Sequence, residues 1–340
     1  MVSRRTILQN LAATSLLPAF PSPLFAQQSM SLKGVYSAPG LSYAAIYIAD
    51  ALQLWAKNGI SAELRQVQGG PLAMVALTNK EAQFAGVAST DPIVAIDKGI
   101  KSLTVGAFTG SLAMQIATRN DWLSKMGLSK SSSLEAKLKA LKSARIGAST
   151  IGGGPAQYTR YMAKSVGLNP EQDLRILAVG LGAARIAALR TNQVDVIVGS
   201  APDADQVALE GFGELYIDCA HELPIFKEFP YTVATVSTAF AMENPTAVSK
   251  IMDVFGQANN MFSTNFGQVF DILKPMFPNI PAKALELALE RDKDTYPKNC
   301  GMTKAMWDNN VQVSLDIKMI TKPIDVSEGG FWTNRFIRQT

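Results

Sequence analysis

Ala183-Ala184-Arg185-Ile186-Ala187-Ala188-Leu189-Arg190-Thr191-Asn192-Gln193-Val194-Asp195-Val196-Ile197-Val198-Gly199-Ser200-Ala201-Pro202 passes through every element of an α/β unit. Residues 183–191 hold alanine, Ile186 and Leu189 at helical spacing. Asn192 tolerates the left-handed backbone of a helix stop. Residues 194–198 are a β-branched strand run, and Gly199-Ser200-Ala201-Pro202 ends it in a loop. Helix, stop, strand and loop in that order predict layers of helices around mainly parallel sheets.

The same unit recurs on both sides. Upstream, strands are expected at 144–148 and 174–179, and Ser149–Pro155 makes a glycine-rich turn into a helix over 156–166. Downstream, residues 215–219 complete this series. An earlier series reads as strands at 32–36, 62–67, 83–87 and 103–108, with helices at 41–58 and 72–79. Residues 120–143 are polar and read as surface cover. After a Thr/Val-rich strand at 231–237, the chain turns helical over 245–264, 281–293 and 303–319. That last third has no strand series of its own, so its helices must pack on an existing lobe, most economically the first. The chain then crosses between lobes twice, near 109–120 and near 222–235. The expected domains are 27–115 with 230–340 as lobe one, and 116–229 as lobe two.

Residues 1–26 stand apart. Ser3-Arg4-Arg5, a weakly apolar run over 11–17 and Leu24-Phe25-Ala26 before Gln27 form an export signal, too short for a membrane anchor. The paired arginines resemble the twin-arginine signal; Ile7 and Gln9 depart from its pattern, which leaves an ordinary secretory signal open. No lipid-anchoring cysteine follows, so the product is expected free in the periplasm. The chain has 47% hydrophobic and 18% charged residues and 17 prolines, which is globular composition. Its net charge of +4 includes Arg4 and Arg5, and so small an excess is no footprint for nucleic acid. Cys219 and Cys300 have no metal-type spacing and read as buried thiols, with pairing left open. The single histidine, His221, cannot build a histidine-based metal centre or a relay. No metal and no cofactor are expected.

Four segments carry a resemblance to a known family. They are Leu54-Trp55-Ala56-Lys57-Asn58-Gly59-Ile60; Gly69-Gly70 with Asn79-Lys80-Glu81-Ala82-Gln83-Phe84; Gly167-Leu168-Asn169-Pro170 with Asp173; and residues 187–195. Their order resembles the periplasmic substrate-binding proteins of ABC importers, in the branch handling nitrate, sulfonate, taurine and thiamine-precursor ligands. The usual glycine is missing before Gln83, and Asn192 replaces another. The resemblance implies a type II periplasmic binding protein fold: two doubly wound lobes joined by a two-crossing hinge that closes on a ligand. It further implies a monomer that delivers a small molecule to an inner-membrane ABC permease and performs no chemistry.

In open α/β sheets a ligand sits beyond the carboxyl ends of the strands. That rule selects Ser37, Pro39 and Tyr43; Gly69 and Gly70; Ser89 and Thr90; Phe108; Ser149, Thr150, Gly152, Gly153, Gly154 and Tyr158; Gly180; Ser200 and Asp203; and Tyr231. Backbone N–H groups at helix starts suit an anionic oxygen, and the Ser and Thr hydroxyls add donors. The aromatics offer flat packing faces, and Asp203 also fits a plain helix-start role. Three consecutive glycines at 152–154 are costly in a simple turn. No Lys or Arg falls within these loops, the nearest being Arg119 and Arg160, so recognition is expected to rest on neutral donors. A small organic monoanion of sulfonate or carboxylate type fits. A neutral pyrimidine-type vitamin precursor, or a role as periplasmic ligand sensor, stays open. An enzyme is disfavoured: no histidine base accompanies a serine, and there is no nucleophile elbow.

Overall fold

A computed structural model describes residues 30–338, so the expected export segment at 1–26 lies outside the described residues. Ten strands form two five-stranded sheets. The first contains β1 (Met30–Tyr36), β2 (Ile60–Gln66), β3 (Phe84–Ala88), β4 (Ser102–Ala107) and β10 (Thr232–Ser237), in the order β2-β1-β3-β10-β4. The second contains β5 (Met114–Arg119), β6 (Arg145–Ala148), β7 (Arg175–Ala178), β8 (Val196–Ser200) and β9 (Gly213–Asp218), in the order β7-β6-β8-β5-β9. β3 and β4 are buried along their whole length, as strands covered by helices on both faces must be.

The sheets are mixed. β10 runs antiparallel to β3 and β4, and β5 runs antiparallel to β8 and β9. Each is the strand by which the chain passes from one sheet into the other. β5 also corrects the expectation of a bare crossing at 109–120. Its six residues are all buried, between β8 and β9. The two crossing segments pair with each other: Phe108 N–H donates to Thr232 O (2.8 Å), Leu112 N–H to Phe226 O (2.9 Å) and Phe229 N–H to Gly110 O (2.9 Å).

Two further expectations are amended. The helix read over 41–58 breaks at Gln53, whose φ of 54° is left-handed, leaving Ala44–Ala51 and Leu54–Lys57. The polar stretch 120–143 is more than cover, since helices Asn120–Met126 and Leu134–Ala140 bury Trp122, Leu123 and Leu138. In the last third, helices Pro245–Thr264 and Ala282–Asp292 pack Phe255, Leu285 and Leu289 into the first sheet's core. Helix Lys304–Asp316 buries Trp307 in a separate cluster with Ala85, Val87 and Phe331 and turns Val313 to the second sheet's core. Asn192 does take the left-handed conformation, with φ 58°. Its side-chain oxygen accepts from both Arg119 and Arg145, which also clamp Asp195. Among the described residues, no helix is long and apolar enough to cross a membrane.

Candidate functional site

The segments after β1, β2, β3, β6, β7 and β8 meet across the gap between the sheets and surround a cavity of about 40 Å³. Ser37, Pro39, Tyr43, Gly69, Gly70 and Asp91 line it from the first sheet. Ser149, Thr150, Gly153, Gly154, Arg185 and Ser200 line it from the second, and Tyr231 comes from the crossing segment. Water occupies at least about 10–15 Å³ per molecule on this measure, so the space admits only a few heavy atoms. The walls touch around it. Leu41 N–H donates to Ala201 O (3.0 Å), and the Ser42 and Ser200 hydroxyls lie 2.8 Å apart. A Cβ on Gly154 would fall 2.7 Å from Ala88 Cβ, which no pair of side chains tolerates, so glycine is what permits this closed arrangement.

Several donors at the cavity have no partner in the protein. Helices Gly70–Thr78, Gly154–Ser165 and Ala183–Arg190 begin there without side-chain caps, whereas helices Leu134–Ala140 and Lys304–Asp316 are capped by Ser133 and Thr303. No side chain accepts from their first-turn N–H groups, although Ala184 N–H is taken by Leu181 O (3.1 Å). Thr150 Oγ1 and Asp91 Oδ2 are sealed from solvent with no hydrogen-bond partner. Such buried orphans cost about 1–3 kcal/mol each unless something fills the site.

Arg185 supplies the charge. It is buried, and its Nε and Nη2 grip Asp203 Oδ2 at 2.9 and 2.5 Å. Among the described residues its Nη1 donates to no protein atom. The guanidinium lies flat against Gly199, where a Cβ would come within 2.2 Å of Nη2. Asp203 offsets this positive charge. Burial pushes the Asp91 carboxyl up to about 7, against a single backbone hydrogen bond at Ala88, so it is half neutral near neutral pH. Burial raises Tyr43 well above the ordinary phenol range and Tyr231 to about 12, which keeps both phenols protonated. The cavity thus has many donors and little net charge.

The sequence-selected residues divide into two groups. Ser37, Pro39, Tyr43, Gly69, Gly70, Ser149, Thr150, Gly153, Gly154, Ser200 and Tyr231 converge on the cavity. Ser89, Thr90, Phe108, Gly152, Tyr158, Gly180 and Asp203 do not line it. Ser89 is fully buried, bonded to Asn310 and Tyr158. Thr90 is also buried. Phe108 is core, edge-on to Phe255 at 4.9 Å. Tyr158 packs among Phe226, Phe229 and Tyr231. Gly152 lies in a neighbouring groove, Gly180 is a left-handed turn, and Asp203 is the counterion of Arg185. Sequence reasoning missed Asp91 and Arg185. Asp91 ends a loop already placed at the cleft but was passed over for the hydroxyls of Ser89 and Thr90, whereas Arg185 sits in the first turn of a helix just past its loop, where Gly199 facing it was the available signal.

Behind the cavity a second polar cluster joins the two halves. Arg291, on helix Ala282–Asp292, holds Asp205 in a two-pronged pair at 2.5 and 2.9 Å. Its Nε also lies 3.3 Å from Asp218 Oδ2 and 3.0 Å from Asp292 Oδ1. His221 Nδ1 is 3.0 Å from Asp218 Oδ2. Asp218, His221 and Asp292 come close enough together to suggest a metal site, but Arg291 already places a cation between the carboxylates. Burial raises Asp205 and pushes Asp292 up to about 7, against the pull of Arg291, which lowers both. Cys219 and Cys300 are both free thiols, buried in different cores.

Comparison with known proteins adds the following. A sequence profile of the NMT1-like family matches residues 38–268. No curated protein matches the chain in sequence. A protein from Bordetella bronchiseptica RB50 superposes with a TM-score of 0.75 at 16% identity, covering 91% of this chain and 96% of that one. The alkanesulfonate-binding protein SsuA from Xanthomonas axonopodis pv. citri, bound to MOPS, gives 0.66 at 17% identity, with 86% and 94% covered. The periplasmic nitrate-binding protein NrtA from Synechocystis PCC 6803 gives 0.64 at 15% identity, with 82% and 75% covered. At these identities the likeness is one of fold.

Proposed function

Because the chain belongs to the NMT1-like family and has the fold of periplasmic substrate-binding proteins, we propose that it is the solute-binding component of an ABC importer. It captures a small organic monoanion, of sulfonate or carboxylate type, in the cavity between the sheets and delivers it to an inner-membrane permease. In this reading it is exported, trimmed before Gln27, acts in the periplasm as a monomer, and has no catalytic role. Its two lobes, 27–115 with 230–340 and 116–229, open and close about the paired crossing segments.

The observation that carries the reading is the polar lining of one closed cavity: the Thr150 hydroxyl without a partner, the Arg185 guanidinium held to Asp203 along one edge, and helix starts without side-chain caps. Single hydrogen bonds to a charged group are worth about 1.5–3 kcal/mol, so three or four suffice for micromolar affinity. The Arg185–Asp203 pair is neutral as a unit, and an ionised Asp91 would repel a dianion. A single, delocalised negative charge is the best match. Titration calorimetry of nitrate, methanesulfonate, acetate and uracil tests this. A one-site isotherm for an organic anion is expected; binding of uracil alone would replace the anion with the neutral-ring alternative.

A further inference from the structure

Arg291 belongs to the first half of the molecule, since its helix packs Leu285 and Leu289 into the first sheet's core. Two of its three carboxylate partners belong to the second half. Asp205 lies in helix Asp203–Leu209, and Asp218 ends β9. Among the described residues, the ion pairs that join the halves converge on this one guanidinium. Its grip on Asp205 is two-pronged, which fixes direction as well as distance.

Helix Asp203–Leu209 opens with two buried carboxylates two positions apart, and they face different arginines. Asp203 accepts from Nε and Nη2 of Arg185, which lines the cavity. Asp205 accepts from Arg291, which does not line it. One turn of helix is therefore held from the cavity side and from the opposite half at once. The strand beneath carries a second link. Gln115 of β5 pairs with Gly199 on one side and Asp218 on the other. With its amide turned to satisfy its neighbours, Gln115 also accepts from Arg291 Nε at 3.0 Å. Gln115, Arg185, Gly199, Asp203 and Ala204 pack together without room for a water molecule. Such a close-packed path transmits a displacement instead of absorbing it.

We propose that Arg291 is a positioning residue for the cavity, acting from the opposite half. Through Asp205 it fixes the first turn of helix Asp203–Leu209, and through Asp203 that turn sets the Arg185 guanidinium. The charged donor of the cavity is then correctly aimed only while the two halves keep the arrangement that lets Arg291 reach Asp205. Asp292 is different: it shares Arg291 but sits beside it on the same helix, off the path to Arg185. The value of this aim for binding rests on the anion reading above; the aim itself does not.

The test starts with the arginine Nε–H resonances of the whole protein, read by NMR. The Arg185 signal is assigned by its loss in Arg185→Gln. Arg291→Lys keeps the charge but not the two-pronged grip, and it should shift that signal, as should Asp205→Asn. Asp292→Asn should leave it in place. Arg145 Nε–H, bound to Asp195, should stay put in all three variants as the check on the fold. An unmoved Arg185 signal in both Arg291→Lys and Asp205→Asn, or an equal shift in Asp292→Asn, overturns the proposal. Calorimetric titration of methanesulfonate and acetate gives the second readout. Arg291→Lys should weaken whichever binds by about threefold, and by nothing further once Arg185→Gln is present. The same loss in the Arg185→Gln background overturns the positioning role. If the Arg185 signal shifts but neither anion binds the wild type, the positioning holds and the anion reading is what fails.

Discussion

The protein joins its two halves with polar groups at two places, and they are built in opposite ways. At the rear, Arg291 is saturated, with Asp205, Asp218 and Asp292 all within 3.3 Å of its guanidinium. At the front, Arg185 uses one edge on Asp203 and leaves Nη1 idle, beside a threonine hydroxyl and a carboxylate oxygen with no partner. A network that holds a fold together satisfies its buried groups. A network that waits for a solute leaves some of them unsatisfied, and that cost is recovered on binding.

Breaking the rear cluster should therefore cost stability. Arg291→Met leaves three carboxylates without their cation, and the expected loss is about 3 kcal/mol, read as a lower urea midpoint. Affinity should fall much less than in a front-wall variant. Arg185→Gln is that variant, and it removes a charged hydrogen bond. Anion affinity is expected to drop about ten- to a hundredfold by calorimetry.

Asp91 sharpens the comparison through pH. Its folded carboxyl titrates at about 7, above the ordinary 3.8, so the stabilisation from keeping it neutral is complete in acid and is lost as pH rises through 7. The urea midpoint of the wild type should fall between pH 5 and pH 8, and Asp91→Asn should fall less. Asp292 shifts in the same direction and remains in the variant. Anion affinity should weaken by up to about tenfold from pH 6 to pH 8 as Asp91 ionises, and stay flat in Asp91→Asn. The smallest effect belongs to Thr150→Val, which removes one neutral donor and should cost about two- to tenfold.

How much of this could be read beforehand depended on how locally each feature is encoded. The helix at 245–264 matches to the residue, because twenty positions of helical spacing leave little ambiguity. β5 was missed because Met114-Gln115-Ile116-Ala117-Thr118-Arg119 mixes polar and apolar residues without punctuation. Its burial comes from β8 and β9, which are distant in sequence. The reversal of β10 follows from the crossing and not from its own residues. In the site, the glycine and hydroxyl positions were legible because strand ends define them. Arg185 was not, since a residue in the first turn of a helix reaches the cavity only when the helix is aimed at it, and Asp91, though in a selected loop, reads from sequence as an ordinary acidic residue of a helix's first turn. Of the glycine loop, Gly153 and Gly154 line the cavity, and the tight approach to the other wall is at Gly154 against Ala88; a Cβ on Gly153 meets only Ser149 and Thr150 of its own loop.

That close approach gives the most direct test of the central claim, that a small anion is held where the two walls shut. Thermal melting would be followed for wild type and Gly154→Val across nitrate, methanesulfonate, octanesulfonate, acetate and octanoate. A valine there props Ala88 away, so the fold should melt normally without ligand but the cavity should not close. The account predicts that at least one organic anion stabilises the wild type, by about 2.7 kcal/mol at a hundred times its dissociation constant, and does not stabilise Gly154→Val. Equal stabilisation of both proteins, or none of the wild type by any anion, would contradict it.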